Sequence, residues 1–224
     1  MMNNKTALLL GATGLTGKHC LDMLLNNPNY TRIIILVRHK LDIDSNKLEQ
    51  HIADFSDLSK HSEQFKVNDV FCCLGTTIKK AKSKQNFKNV DFHFVVAAGK
   101  ISKQQNVDQF IVISAIGAAT NSLSFYSQTK GAMETTLKDI NLNNLVIFRP
   151  SLLLGKRNET RLLESFGSYL FKLMAFLFIG SLKRFSPIQA STLAEQMILS
   201  ANENNYQAPS YLEVKSYAIT NKKQ

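Results

Sequence analysis

The stretch Lys5-Thr6-Ala7-Leu8-Leu9-Leu10-Gly11-Ala12-Thr13-Gly14-Leu15-Thr16-Gly17 decides the fold of this chain. Its apolar run, residues 7–10, has the length of a buried strand and breaks into three glycines. Behind them, residues 18–27 place Cys20, Leu21, Leu24 and Leu25 on one face of a helix. A strand, a glycine turn and a helix in that order form a phosphate cradle. Gly11 permits the tight turn, Gly14 lets the backbone approach a pyrophosphate, and Gly17 lets helix and strand pack closely. Thr13, Leu15 and Thr16 belong to the same turn, whose free amides and helix dipole would face the anion.

The glycine spacing is G-x-x-G-x-x-G, not the G-x-G-x-x-G of the commonest dinucleotide enzymes. It resembles the short-chain dehydrogenase/reductase superfamily, particularly its extended and atypical branches.

Working outward, 224 residues suit a single dinucleotide-binding domain over 1–224, with 151–187 as a substrate, lid or interface segment. Apolar content of 44% with 20% charged residues excludes a disordered chain. Cys20, Cys72 and Cys73 form neither a disulfide framework nor a metal-ligand spacing and read as small core residues of a reducing compartment. Adjacent Cys72 and Cys73 should point to opposite faces of a strand. The chain enters a strand within a few residues of Met1, and its densest apolar stretch, 169–182, is short for a bilayer span and holds Lys172. A cytoplasmic protein without a transmembrane segment is expected. The net charge of +10 raises the question of nucleic acid, but the one lysine cluster, at 79, 80, 82, 84 and 88, comes without a stacking platform. It reads as a solvated helix face whose field would attract an anionic cofactor.

A second buried strand, residues 32–37, ends in Arg38-His39-Lys40. An NAD enzyme usually places an acid here for the ribose 2′-hydroxyl, whereas a guanidinium matches a 2′-phosphate. Arg38, with Lys40 behind it, therefore favours NADP(H) over NAD(H), against the alternative of a solvated strand end. A third strand over 51–55 would bring Asp54 beside the adenine, with a helix N-cap as the competing reading. A fourth, 67–74, closes in Leu74-Gly75-Thr76, where glycine again allows a ligand to come close. Residues 82–105 read as one long helix. Asn89 on it occupies a place where short-chain dehydrogenases often carry an active-site asparagine, though a solvated side chain fits equally.

The chemistry is expected after a fifth strand, 109–113. Ser114 stands at its carboxyl end, and Tyr126 and Lys130, four apart, share one face of the helix that opens at Phe125. A phenol with a pKa near 10 needs help to move protons at neutral pH, and a nearby ammonium supplies it. In this reading Tyr126 is the general acid/base, Lys130 lowers its pKa and holds the nicotinamide ribose, and Ser114 orients the reacting oxygen.

Four runs carry a closer resemblance: Phe71-Cys72-Cys73-Leu74-Gly75-Thr76-Thr77, the Gly11–Gly17 loop, Tyr126-x-x-x-Lys130-Gly131 and Phe148-Arg149-Pro150. Together they resemble the Tat-interacting-protein oxidoreductases, an atypical branch of the superfamily. The resemblance implies a Rossmann fold, bound NADP(H), a retained Ser-Tyr-Lys site and a segment at Pro150 that passes the nicotinamide. It implies no substrate, since some of these relatives act mainly as regulators. Those relatives often have a basic residue where this chain has Asn89.

The expected architecture is thus a doubly wound, mostly parallel α/β sheet with helices on both faces and a small C-terminal substrate region. The expected activity is hydride transfer to or from a carbonyl or alcohol. A regulatory or redox-sensing NADPH-binding protein is the alternative. Residues 161–182 are apolar nearly all round and must be covered: by the core, as a pocket wall, by a second copy in a homodimer, or by a membrane surface. A further helix is expected over 189–203 and a last strand over 211–214.

Overall fold

The structure, a computed structural model, describes residues 4–155, 185–203, 206–210 and 212–218. The strands are Lys5–Leu10 (β1), Tyr30–Val37 (β2), Leu48–Ile52 (β3), Asp69–Cys72 (β4), Gln109–Ile113 (β5), Asn144–Arg149 (β6), Leu153–Leu154 (β7), Ile188–Gln189 (β8) and Glu213–Ala218 (β9). One sheet runs in the order β3-β2-β1-β4-β5-β6-β9. All its pairings are parallel except β6 with β9. β7 and β8 make a separate parallel pair.

The apolar runs of the central strands are continuous because both faces of the sheet are covered. On β1, Ala7 and Leu9 face one core with Cys20, Leu21 and Leu24 of helix α1 (Leu15–Asn26) and Leu193 and Met197 of helix α6 (Ala190–Asn202). Leu8 and Leu10 face the other, with Val95 and Ala98 of α4 (Phe94–Gln104) and Met133 and Leu137 of α5 (Phe125–Asp139). Neighbouring Cys72 and Cys73 divide between the two sides, and the Cys73 sulfur lies 3.7 Å from that of Cys20. A Cβ on Gly99 of α4 would lie 2.5 Å from Leu137, so this glycine lets α4 and α5 pack closely.

Three elements depart from expectation. The third strand is Leu48–Ile52, and Asp54 beyond it is the cap of a 3-10 helix, Phe55–Phe65, accepting from the Ser56 amide at 2.9 Å. The expected helix over 82–105 is broken. α2 (Ile78–Ala81) ends at Lys82, whose φ of 62° is left-handed, and Ser83 caps α3 (Lys84–Lys88) through the Asn86 amide. A wide π turn, Asn89–His93, then leads into α4. The last strand, expected over 211–214, is the edge strand β9, set by its antiparallel pairing with β6. The expected apolar segment 161–182 lies outside the described residues. Among the described residues no helix is long and apolar enough to cross a membrane.

Candidate active site

The chain steps from β1 to β2 and β3 on one side and then returns to β4 on the other. The β1/β4 boundary is therefore the switch point where open α/β sheets hold ligands. The backbones meet there. Gly11 has a φ of +83°, and a Cβ on it would lie 2.7 Å from the Cys73 carbonyl oxygen. A Cβ on Gly17 would lie 2.0 Å from the Gly11 carbonyl oxygen, so only glycine lets α1 sit this close to β1. Gly14 precedes α1 as its cap, donates its amide to Gly11 at 2.9 Å and offers no side chain to the first-turn amides. Ser83, Ser124 and Asp54 fill that role at other helices. The first-turn amides of α1 beyond Gly14 thus take no side-chain cap and face a cradle that a Cβ would fill. The residues present fit a dinucleotide pyrophosphate.

Around this turn Thr13 is exposed, Leu15 half-buried and Thr16 buried. Arg38 and Lys40 are exposed just past β2, at the same end of the sheet. Asp54 is exposed at its cap. Leu74 is buried, Gly75 exposed, and the half-buried Thr76 gives its amide to Asp91 at 2.8 Å. Pro150 is buried beyond β6, and its carbonyl accepts from the Ile116 amide.

The α5 residues come together around a charge the sequence reading missed. Lys130 Nζ lies 2.8 Å from Asp91 Oδ1, with side chains 3% and 1% exposed, and donates to the Ile113 carbonyl at 3.3 Å. A Cβ on Gly75 would sit 3.4 Å from that carboxylate oxygen and 4.0 Å from Lys130 Nζ, so the pair lies directly beneath the loop after β4. Asn89 is elsewhere, accepting from Gln85 at 3.0 Å.

Tyr126 is half-buried, its ring 5.5 Å from that of Phe87. The expected lowering of its pKa is not what the geometry produces. Burial pushes the phenol up; Lys130 pulls it down, but Asp91 opposes that pull, and the outcome is upward. Burial alone would lower Lys130, yet Asp91 holds it above the usual lysine range. Ser114 stands at the end of β5, 3% exposed, and donates its hydroxyl to Glu134 Oε1 at 2.5 Å rather than toward Tyr126. Glu134, one turn beyond Lys130, is held in turn by Arg149 Nε at 2.9 Å, and Arg149 reaches Glu213 at 2.8 Å.

Comparison with known proteins places the chain in a family. The family model described as NAD(P)H-binding matches residues 11–168. The chain belongs to that family. Protein HTATIP2 of Rattus norvegicus is 34% identical over 164 residues, covering 71% of this chain and 67% of the relative. Protein FMP52, mitochondrial, of Candida albicans is 32% identical over 160 residues, covering 69% and 70%. Among solved structures, UDP-glucose 4-epimerase of Thermotoga maritima with UDP-glucose superposes with a TM-score of 0.67 at 15% identity, covering 88% of this chain and 73% of that one. The Bordetella bronchiseptica enzyme WbmH in complex with NAD+ gives the same score and identity over 88% and 72%. At that identity the structures establish the fold alone, and the relatives make this chain an atypical short-chain dehydrogenase/reductase superfamily member. The expectation of a cytoplasmic protein is overturned, because the fungal relatives are named as mitochondrial.

Proposed function

We propose that this NAD(P)H-binding family member is an NADP(H)-dependent oxidoreductase acting on a small carbonyl or alcohol. The observation that carries this reading is the position of Lys130 and Asp91 beneath Gly75, with Tyr126 on the same helix face. An ammonium thus lies beneath the loop after β4, within electrostatic reach of the Tyr126 phenol, rather than on an outer surface. The nicotinamide supplies the hydride when bound. Gly11, Thr13, Gly14, Leu15, Thr16 and Gly17 hold the pyrophosphate, with Leu74, Gly75, Thr76 and Pro150 lining its path. Asp54 stands near the adenine end, and Arg38 with Lys40 meets the 2′-phosphate. Tyr126 exchanges the proton with the reacting oxygen, Lys130 holds the ribose and Ser114 orients the oxygen.

The chain is read as one domain with 151–187 as a substrate, lid or interface segment, of which residues 156–184 lie outside the described residues. The naming of the fungal relatives supports a mitochondrial location. A second reading, an NADPH-dependent regulator without turnover, is favoured by the Ser114 hydroxyl being given to Glu134. Calorimetric titration with NADPH and NADH decides the first point. NADPH should bind at least about tenfold more tightly, and Arg38→Ala should remove that preference. Equal affinities overturn the NADP assignment. NADPH binding with no oxidation across aldehydes and ketones selects the regulator.

A further inference from the structure

The charge beside Tyr126 is not the lone ammonium expected from a Tyr-x-x-x-Lys helix. Asp91 enters the site from within the π turn. Counting from Phe87, positions 87, 91, 95 and 98 form one buried stripe, with exposures of 0%, 1%, 0% and 0%, and the acid stands among apolar side chains. Inserted turns of this kind recur where a helix must aim one side chain. The carboxylate is bound through both oxygens. Oδ1 holds Lys130, and Oδ2 accepts from the Thr76 amide in the loop after β4. One side chain thereby couples the position of the lysine to that of the loop lining the crevice.

The electrostatic consequence follows from the pairing. An isolated ammonium beside a phenol favours the phenolate, whereas an ammonium already 2.8 Å from a carboxylate presents a dipole, whose field falls off faster. Among the described residues the charges acting on Tyr126 are those of Lys130 and Asp91, while Lys84 of α3 stands over the neighbouring Phe125 ring, 5.4 Å from its centroid. Phe87 is apolar, and the Cys72 thiol on β4, near Lys130 and Asp91, is pushed up to about 12 by burial and stays neutral.

We propose that Asp91 is a positioning residue of this site: it clamps Lys130 to the β4 loop and offsets its charge, so that Tyr126 rests as a phenol ready to give a proton to a carbonyl oxygen. The inference rests on the oxidoreductase reading for its chemical meaning. In the reductive direction the oxygen of a C=O group would take the Tyr126 proton while its carbon takes a hydride supplied by the reduced nicotinamide, which is oxidised, giving CH–OH. The tyrosinate left behind regains its proton from water. Oxidation of an alcohol requires the tyrosinate first and is therefore confined to alkaline pH. The upward direction of the Tyr126 pKa agrees with this picture.

The test is a titration of the full chain carrying [13Cζ]tyrosine, followed by NMR without added cofactor, with Tyr126→Phe assigning the resonance. Wild-type Tyr126 is expected to titrate above the ordinary phenol value of about 10. In Asp91→Asn, which keeps shape and loses charge, the midpoint should fall by about one pH unit or more, a roughly tenfold larger tyrosinate fraction at a fixed pH below the midpoint. A wild-type midpoint at or below about 10, or an unchanged midpoint in Asp91→Asn, overturns the proposal. Where Asp91→Asn does not fold, Lys130→Met gives the opposite sign: an unopposed Asp91 must raise the midpoint above wild type, and a fall overturns the proposal. Should neither variant fold, the wild-type midpoint decides. Failure of NADPH to bind would remove the oxidoreductase reading without moving this titration, so the two failures are distinguishable.

Discussion

The molecule contains the same three residue types, tyrosine, lysine and aspartate, at opposite ends of its sheet. At the amino end Lys5, Tyr30 and Asp69 are the first residues of β1, β2 and β4. Tyr30 donates to Asp69 at 2.6 Å, Lys5 pairs with the same oxygen at 3.0 Å, and Lys5 also donates to the Ala201 carbonyl on α6 at 2.7 Å. Every bond closes on another part of the chain, and the cluster ties α6 to the sheet. At the carboxyl end Lys130 and Asp91 pair as tightly, but Tyr126 leans on Phe87, and the loop above the pair is an exposed glycine. Composition alone therefore does not separate the two clusters. What sets the carboxyl-end cluster apart is the exposed glycine over its Lys130–Asp91 pair, where the backbone has left room.

The first way to break this comparison is to remove one hydroxyl at each end. Tyr126→Phe should lower turnover by about 10²–10⁴-fold, as expected for a lost general acid, with NADPH affinity within about threefold of wild type. Tyr30→Phe should leave turnover per folded molecule unchanged. Steady-state rates beside calorimetric NADPH binding check both, and equal losses in the two variants would end the distinction. The next largest effect is structural. Asp69→Ala leaves Lys5 and the buried Tyr30 hydroxyl without their shared acceptor and should cost about 3–5 kcal/mol, read from urea denaturation. Burial pushes the Asp69 carboxyl upward, and its Oδ1 finds no hydrogen-bond partner among the described residues, so the cluster is already costly to keep charged. A loss below about 1 kcal/mol would show that the amino-end cluster is dispensable.

How much of this was legible in sequence follows from how local each feature is. The β1–glycine–α1 unit was readable because strand, turn and helix lie within Lys5–Gly17 and each glycine has a steric reason. The start of α5 was readable too, since Ser124 and the apolar residue after it mark a helix entry. The left-handed Lys82 and the π turn break the helix without a local signal in the sequence. Asp91 is harder to read, because an acid on a helix is ordinarily solvated and its partners, Lys130 and the Thr76 amide, are distant in sequence. An acid on the apolar stripe four residues from Phe87 was the signal. Glu134 carried a similar one, being spaced four from Lys130 and eight from Tyr126 on a single helix face. Arg149 had none: its partner Glu213 is 64 residues away on an antiparallel edge strand. The pairing direction of that strand is set by space beside β6, not by local periodicity.

Stability sharpens the comparison by smaller steps. Tyr30→Phe removes a donor to a buried carboxylate and should cost about 1–3 kcal/mol at neutral pH, measured by the same denaturation.

The smallest effect is a slope. Both phenols lie above their ordinary value of 10.0, Tyr30 through burial and then Asp69, Tyr126 through burial with Lys130 and Asp91 opposed. Above that pH the unfolded chain loses these protons while the folded chain keeps them, so fewer protons are bound when unfolded and unfolding free energy falls as pH rises. The stability these phenols confer is complete below about pH 10 and is lost at up to about 1.4 kcal/mol per pH unit for each. Replacing either with phenylalanine should flatten the alkaline limb. The fully enclosed Tyr30 should do so across a wider pH range than the half-buried Tyr126. Denaturation series between about pH 9 and 11, each referred to wild type so that the lysines cancel, measure the two slopes. Identical flattening by both variants would mean that the two tyrosines are equally enclosed, and that the crevice end of the sheet is as closed as the end that only holds the fold together.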